Sequence, residues 1–262
     1  MDRPQRTHRR GRALLSTIKI RYVRHIVQAQ VFILLLYGLA SAEIPIKFLW
    51  GLDPLLSLSA VLSRAVFPAS LLLLGVAMLF LSAAVGRFFC GWICPLGFIQ
   101  DLVPTLTRSK RISPDLRLLK YLLLAAGIIL PVIAGWSFLE WITPLSIAPR
   151  GLGWILDRRV FAAATFLALL LVILFSLLQK RAWCRYVCPL GAILSLPSAY
   201  KSLRIRIDTE RCIECLRCER ACSMGVIDVK GRHGLNWSSE CILCLACRDV
   251  CPKDAIVLKL EG

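Results

Sequence analysis

The sequence predicts an α-helical membrane protein with four transmembrane helices arranged as two repeated hairpins. A C-terminal α+β ferredoxin-like domain of the bacterial 2[4Fe–4S] kind follows them. Three observations carry this. Of 262 residues, 57% are hydrophobic and they fall in long uninterrupted runs, with a mean hydropathy of +0.68. Such runs of ~20 residues point to bilayer spans, whereas a soluble domain spaces its apolar residues at periods of 2 or 3.6. All 12 cysteines sit in tight clusters, unlike those of a disulfide-stapled secreted domain. Finally, 33 Lys and Arg against 16 Asp and Glu give a net charge of +17. In an apolar chain this speaks for topology and anionic lipid before nucleic acid. Secreted, fibrous and soluble cytosolic classes are excluded at this stage.

The expected domains are a basic N-terminal segment 1–25, a transmembrane domain 26–200 and a ferredoxin-like domain 201–262. Residues 26–42, 66–86, 121–139 and 160–179 carry no charge and each approaches the length of a span. Lys and Arg number eight in 1–25, two in 43–65, six in 87–120, three in 140–159 and 14 from 180 onward. By the positive-inside rule that alternation places both termini and the ferredoxin domain on the cytoplasmic side of the inner membrane, as a multi-pass protein. Ala40-Ser41-Ala42 also fits a signal-cleavage site, but the repeat described next favours a retained first span.

Two segments repeat at an offset of 94 residues: Arg87, Cys90, Cys94, Pro95, Leu96, Gly97 and Ile99 recur as Arg181, Cys184, Cys188, Pro189, Leu190, Gly191 and Ile193. Asp53-Pro54-Leu55 and Thr143-Pro144-Leu145 correspond likewise, and a short helix is expected from Leu55 to Leu62. The hairpins should therefore be related by a pseudo-two-fold axis that brings both Cys-x3-Cys-Pro motifs together. Cysteines four apart share a helix face, and the Pro should end that helix at the second Cys. Nearby Arg87, Arg181 and Arg185 would favour thiolates. Cys90, Cys94, Cys184 and Cys188 thus form a candidate third metal or iron–sulfur centre, with redox dithiols and plain packing as the competing readings.

The tail carries Cys212-x2-Cys215-x2-Cys218-x3-Cys222 and Cys241-x2-Cys244-x2-Cys247-x3-Cys251-Pro252. This is the bacterial spacing for two [4Fe–4S] clusters, in which the fourth Cys of each motif reaches the other cluster. Cys212, Cys215, Cys218 and Cys251 should hold one and Cys241, Cys244, Cys247 and Cys222 the other. Zinc is the competing reading, and the doubled x2-x2-x3 spacing argues against it. Strands are expected at 203–208, 226–230 and 255–260, with Gly231 and Gly234 at a turn. Cys222 is followed by Ser223 rather than Pro, which alters a turn without removing a thiolate.

Four apolar runs, paired Cys-x3-Cys-Pro motifs and a double-cluster tail, in that order, resemble the NapH/MauN-type membrane ferredoxins and their NosR-type relatives. The resemblance runs from about Tyr22 onward and includes Glu140-Trp141-Ile142-x-Pro144. It implies an electron-transfer component of a quinol dehydrogenase, linking the quinone pool to a partner redox protein of a respiratory or maturation system. Assembly factor and redox-sensing regulator are the alternatives, since they would use the same ligands. His25 is the candidate proton acceptor for a quinol, against the plainer reading of an interfacial hydrogen-bonding histidine. Asp53 and Glu140 read as solvated caps.

Overall fold

The computed structural model describes residues 20–41, 52–62, 69–103, 114–134, 143–144, 146–147, 163–229, 234–235 and 238–260. The longer helices are α1 (Ile20–Ser41), α3 (Ala69–Ala84), α6 (Leu118–Ala134) and α7 (Ala163–Leu178), with the short α2 (Pro54–Leu62) beside α3. Asp53 Oδ1 accepts from the backbone N–H of Leu55 at 3.0 Å and caps α2. That cap is fully buried, not solvated, and burial pushes the Asp53 carboxyl up to about 7 against the opposing backbone bonds. Glu140 lies outside the described residues.

The expectation of four transmembrane helices is overturned: among the described residues no helix is long and apolar enough to cross a membrane. Helices α3, α6 and α7 have 16, 17 and 16 residues. At 1.5 Å per residue they reach ~25 Å, short of the ~30 Å hydrocarbon layer. Helix α1 has 22 residues but carries Arg21, Arg24, His25, Gln28 and Gln30 in its first half. Among the described residues, then, each helix is either shorter than a span or interrupted by polar side chains. The multi-pass topology, with both termini on one side, loses its support accordingly. These helices do expose large apolar side chains, among them Ile33, Leu73, Phe80 and Ile133.

Each Cys-x3-Cys-Pro motif forms two short helices: α4 (Phe88–Trp92) and α5 (Pro95–Leu102) in the first, α8 (Ala182–Tyr186) and α9 (Pro189–Ser195) in the second. The pair of cysteines does not share one helix face. Cys90 and Cys184 lie inside α4 and α8, whereas Cys94 (ψ 118°) and Cys188 (ψ 112°) are extended and start α5 and α9. Proline forces that break, because it excludes the helical region for the residue before it and then suits the first helical position. Both copies turn alike: Cys94 N–H donates to Phe89 O at 3.0 Å and Cys188 N–H to Trp183 O at 2.9 Å.

The tail has strands where they were expected, but Gly234 lies in a strand rather than a turn and Gly231 lies outside the described residues. Strand β1 (Leu203–Ile207) pairs antiparallel with β4 (Ile256–Leu260), and β2 (Ile227–Asp228) with β3 (Gly234–Leu235). Two short helices, α10 (Arg217–Ala221) and α11 (Ala246–Asp249), follow the cysteine loops. The tail packs onto the rest of the chain. Asp249 accepts from the first N–H groups of α1, at 2.9 Å from Arg21, a favourable place for a carboxylate at a helix N-terminus. Trp92 Nε1 donates to Leu243 O at 3.0 Å. Gly91 faces the Ile242 carbonyl so closely that a Cβ there would lie inside its van der Waals shell. Because the obstacle is backbone, Gly91→Ala should cost about 1–3 kcal/mol of stability through overpacking, measured by denaturant unfolding. Gly75→Ala, whose new Cβ would meet Pro54 and Ser57 at 3.1 Å, should cost less.

Candidate functional site

Two cavities occupy the tail. Cys212, Cys215, Cys218 and Cys251 line the first, of about 360 Å³ with its open mouth, together with Ile207, Val229 and Ile256. Cys222, Cys241, Cys244 and Cys247 line the second, of about 330 Å³, with Ile205, Met224 and Ile227. The loops curl the same way in both motifs. Glu214 and Leu216 in one, and Leu243 and Leu245 in the other, have φ between 50° and 58°. Side-chain-bearing residues hold this left-handed geometry only when the surroundings impose it, and such turns are the kind that can cradle anions and iron–sulfur sites. Val226 N–H points at Cys222 Sγ (3.5 Å) and Ala255 N–H at Cys251 Sγ (3.3 Å). Among the described residues no three Cys, His, Asp or Glu side chains stand close enough to chelate a single ion. A cubane carries each thiolate on a separate iron, so cysteines spread around an apolar cavity fit it.

The four remaining cysteines also converge. Cys90, Cys94, Cys184 and Cys188 are all buried, and each pair of the four interacts electrostatically. Burial, reinforced by the neighbouring sulfurs, pushes the Cys94 and Cys188 thiols up. Burial likewise raises Cys184 although Arg181 and Arg87 oppose it. At Cys94, Cys184 and Cys188 desolvation outweighs the neighbouring arginines. Gln100 Nε2 lies 3.1 Å from Cys184 Sγ, while its Oε1 is buried with no hydrogen-bond partner among the described residues. Gly191 N–H lies 3.4 Å from Cys188 Sγ.

The repeated Arg and Gly interlock across the two copies. Arg181 Nη1 donates to Cys90 O at 2.9 Å, and its Nη2 lies 3.3 Å from where a Cβ on Gly97 would sit. Arg87 Nη2 occupies the space that a Cβ on Gly191 would need. Both arginines are buried and both are paired, by residues that sequence alone did not single out. Arg181 donates to Asp101, Nε to Oδ1 at 2.9 Å and Nη2 to Oδ2 at 2.6 Å, and Arg24 joins the same carboxylate at 3.0 Å. Burial raises the Asp101 carboxyl, but Arg181 and Arg24 outweigh it and hold it below the usual range. Arg87 Nη1 donates to Glu240 Oε2 at 2.5 Å, Lys120 Nζ joins that oxygen, and Tyr121 O–H donates to Oε1 at 2.7 Å. Burial opposes the charge on Glu240, yet Arg87 and Lys120 prevail and bring it to about 2. Burial and Arg87 in turn push Lys120 down to about 8. Arg185, expected beside the thiols, lies instead against Gly225 in the tail.

His25 sits on α1 next to this network, with Arg21 Nε 3.4 Å from its Nε2. Burial and Arg24 lower its pKa, which favours the neutral imidazole.

Asp101→Asn would leave two buried guanidinium groups without their carboxylate, at an expected cost of about 3–5 kcal/mol at pH 7. Because the folded pKa of Asp101 is depressed, this stabilisation is present above its unfolded value of about 4 and fades as pH falls through the lower folded value. The stability gap between wild type and variant in denaturant unfolding should therefore narrow from pH 7 to pH 3.

Residues 66–113 and 161–204 match a 4Fe-4S binding domain family, and residues 211–256 a 4Fe-4S dicluster domain family. The ferredoxin-type protein NapH of Haemophilus influenzae is 32% identical over 213 residues, covering 76% of this chain and 71% of that protein. The methylamine utilization ferredoxin-type protein MauN of Methylorubrum extorquens is 30% identical over 226 residues, covering 80% and 75%. The regulatory protein NosR of Pseudomonas aeruginosa is 33% identical over 184 residues, 63% of this chain but only 24% of its own length, so that likeness is to a segment of NosR. No solved structure matches. With two thirds or more of NapH and MauN covered at this identity, the chain belongs to the NapH/MauN family of ferredoxin-type 4Fe-4S electron-transfer proteins.

Proposed function

We propose that this chain is a membrane-associated iron–sulfur electron carrier that links the quinone pool to a partner redox protein. In this reading Cys212, Cys215, Cys218 and Cys251 hold one [4Fe–4S] cluster and Cys222, Cys241, Cys244 and Cys247 a second. The clusters supply one-electron redox chemistry when bound. The observation that carries the proposal is the seating of the second cavity. Its loop rests on α4 through Gly91 and Trp92, next to the buried Cys90, Cys94, Cys184 and Cys188. The first cavity has exposed residues, Ile213 and Lys253, on its lining. Electrons thus have an inner end and an outer end within one chain.

The apolar side chains exposed along α1, α3, α6 and α7 support contact with lipid, since soluble monomers rarely leave so much apolar surface uncovered. His25, beside the Asp101 network and with its neutral form favoured, is the proposed acceptor for a quinol proton. Cys90, Cys94, Cys184 and Cys188 are proposed as a third centre, favoured by their convergence and by the partnerless Gln100 oxygen near them.

Iron, acid-labile sulfide and zinc per chain on anaerobically purified protein, with EPR before and after a quinol, test this. The expected result is about eight irons from two cubanes, reduced by quinol. Iron beyond eight that disappears in Cys90→Ser or Cys184→Ser would establish the third centre. Zinc in place of iron would sink the redox reading, and eight irons that quinol cannot reduce would favour an assembly factor.

A further inference from the structure

The two cavities both have cations nearby but differ in how deeply those cations are buried. Around the second, three cations are buried besides the exposed Arg220 and Arg248. Arg117 Nη2 donates to Met224 O at 2.9 Å and Gly225 O at 3.1 Å, in the turn that follows Cys222. Arg185 lies along the bare face of Gly225, whose φ of +59° leaves room for the guanidinium. Lys201 Nζ donates to Ser238 O, just before the Cys241 loop. Arg117, Arg185 and Lys201 are 5%, 2% and 1% exposed. Arg87 and Lys120 add to this set through Glu240, the residue preceding Cys241, and Glu240 balances only one of those two charges. Around the first cavity, Arg211, Arg217 and Lys253 are exposed and share the rim with Glu214.

Reduction of a cubane adds one electron from the reductant and one negative charge, with no bond made or broken. A cation fixed nearby in a low-dielectric interior favours the reduced form. The same cation in water is screened within about 10 Å. Net charge and solvent exposure are among the factors that set iron–sulfur potentials.

Building on the two-cluster reading above, we propose that Arg117, Arg185 and Lys201 tune the centre held by Cys222, Cys241, Cys244 and Cys247 to a higher reduction potential than the centre held by Cys212, Cys215, Cys218 and Cys251. A single electron on the chain then rests at the inner centre, against the repeats. It reaches the exposed rim only when a second electron or a partner draws it outward. The three cations are positioning residues for that charge; none of them contacts a substrate.

EPR-monitored redox titration of the anaerobic full-length protein tests this. Cys215→Ser identifies the couple of the first cavity. Arg117→Gln and Lys201→Gln should each lower the other midpoint by a tenfold change in the equilibrium constant, 59 mV for a one-electron couple. The first-cavity midpoint should move by less than twofold. Arg117→Lys should restore most of the loss, because it keeps the charge while changing the hydrogen-bond geometry. Arg211→Gln and Lys253→Gln should leave both midpoints within twofold. Gln variants that shift both couples equally, or neither, would overturn the tuning role. Iron near four with one couple would instead remove the two-cluster reading and the inference with it.

Discussion

Glu240 is the joint on which the rest of the architecture depends. Its carboxylate gathers Arg87 from the first Cys-x3-Cys-Pro motif, Lys120 and Tyr121 from α6, and stands one residue before Cys241. One buried anion therefore ties repeat, helix and cavity loop together. Two buried cations cannot tolerate the loss of their shared partner, since an uncompensated interior charge costs several kcal/mol. Asp101 has the equivalent task for Arg181 and Arg24, so each motif arginine crosses to the other copy and ends on a carboxylate. The interlock explains the Gly of each Cys-Pro-Leu-Gly segment: at Gly191 a side chain would displace the guanidinium of Arg87, and at Gly97 it would crowd that of Arg181.

Local features of the chain were legible. Proline after the second cysteine marks the helix break, Asp53 marks the start of α2, and the alternating residues of 203–207 and 256–260 mark the paired strands. The 94-residue repeat also announces two alike turns, which the matching bonds to Phe89 O and Trp183 O display. What remained hidden was long-range or energetic. Nothing near Glu240, Asp101 or Gln100 names a partner some 80 to 150 residues away in the chain. Run length was misleading: among the described residues no apolar run yields a helix long and apolar enough to span a membrane. Thiolate character was misjudged too, since a sequence displays the nearby arginines but not the desolvation that outweighs them.

The same balance of burial and charge divides the molecule's chemistry. The inner cysteines sit beside buried cations, whereas the outer cavity has Ile213 and Lys253 exposed on its lining. Gly91 and Trp92 hold the second loop on α4 with no linker between them, so the tail is seated as part of one core that includes Phe89, Cys90, Cys188 and Ile242.

The central claim is that the Glu240 joint keeps the inner cavity in electron-transfer contact with the repeats. The most direct measurement compares how fast quinol and dithionite reduce wild type and Glu240→Ala, with the iron content of both verified. In the fraction of the variant that folds with its full iron, the account predicts unchanged dithionite reduction and markedly slower quinol reduction. Quinol reduction at the wild-type rate in fully loaded Glu240→Ala would contradict it.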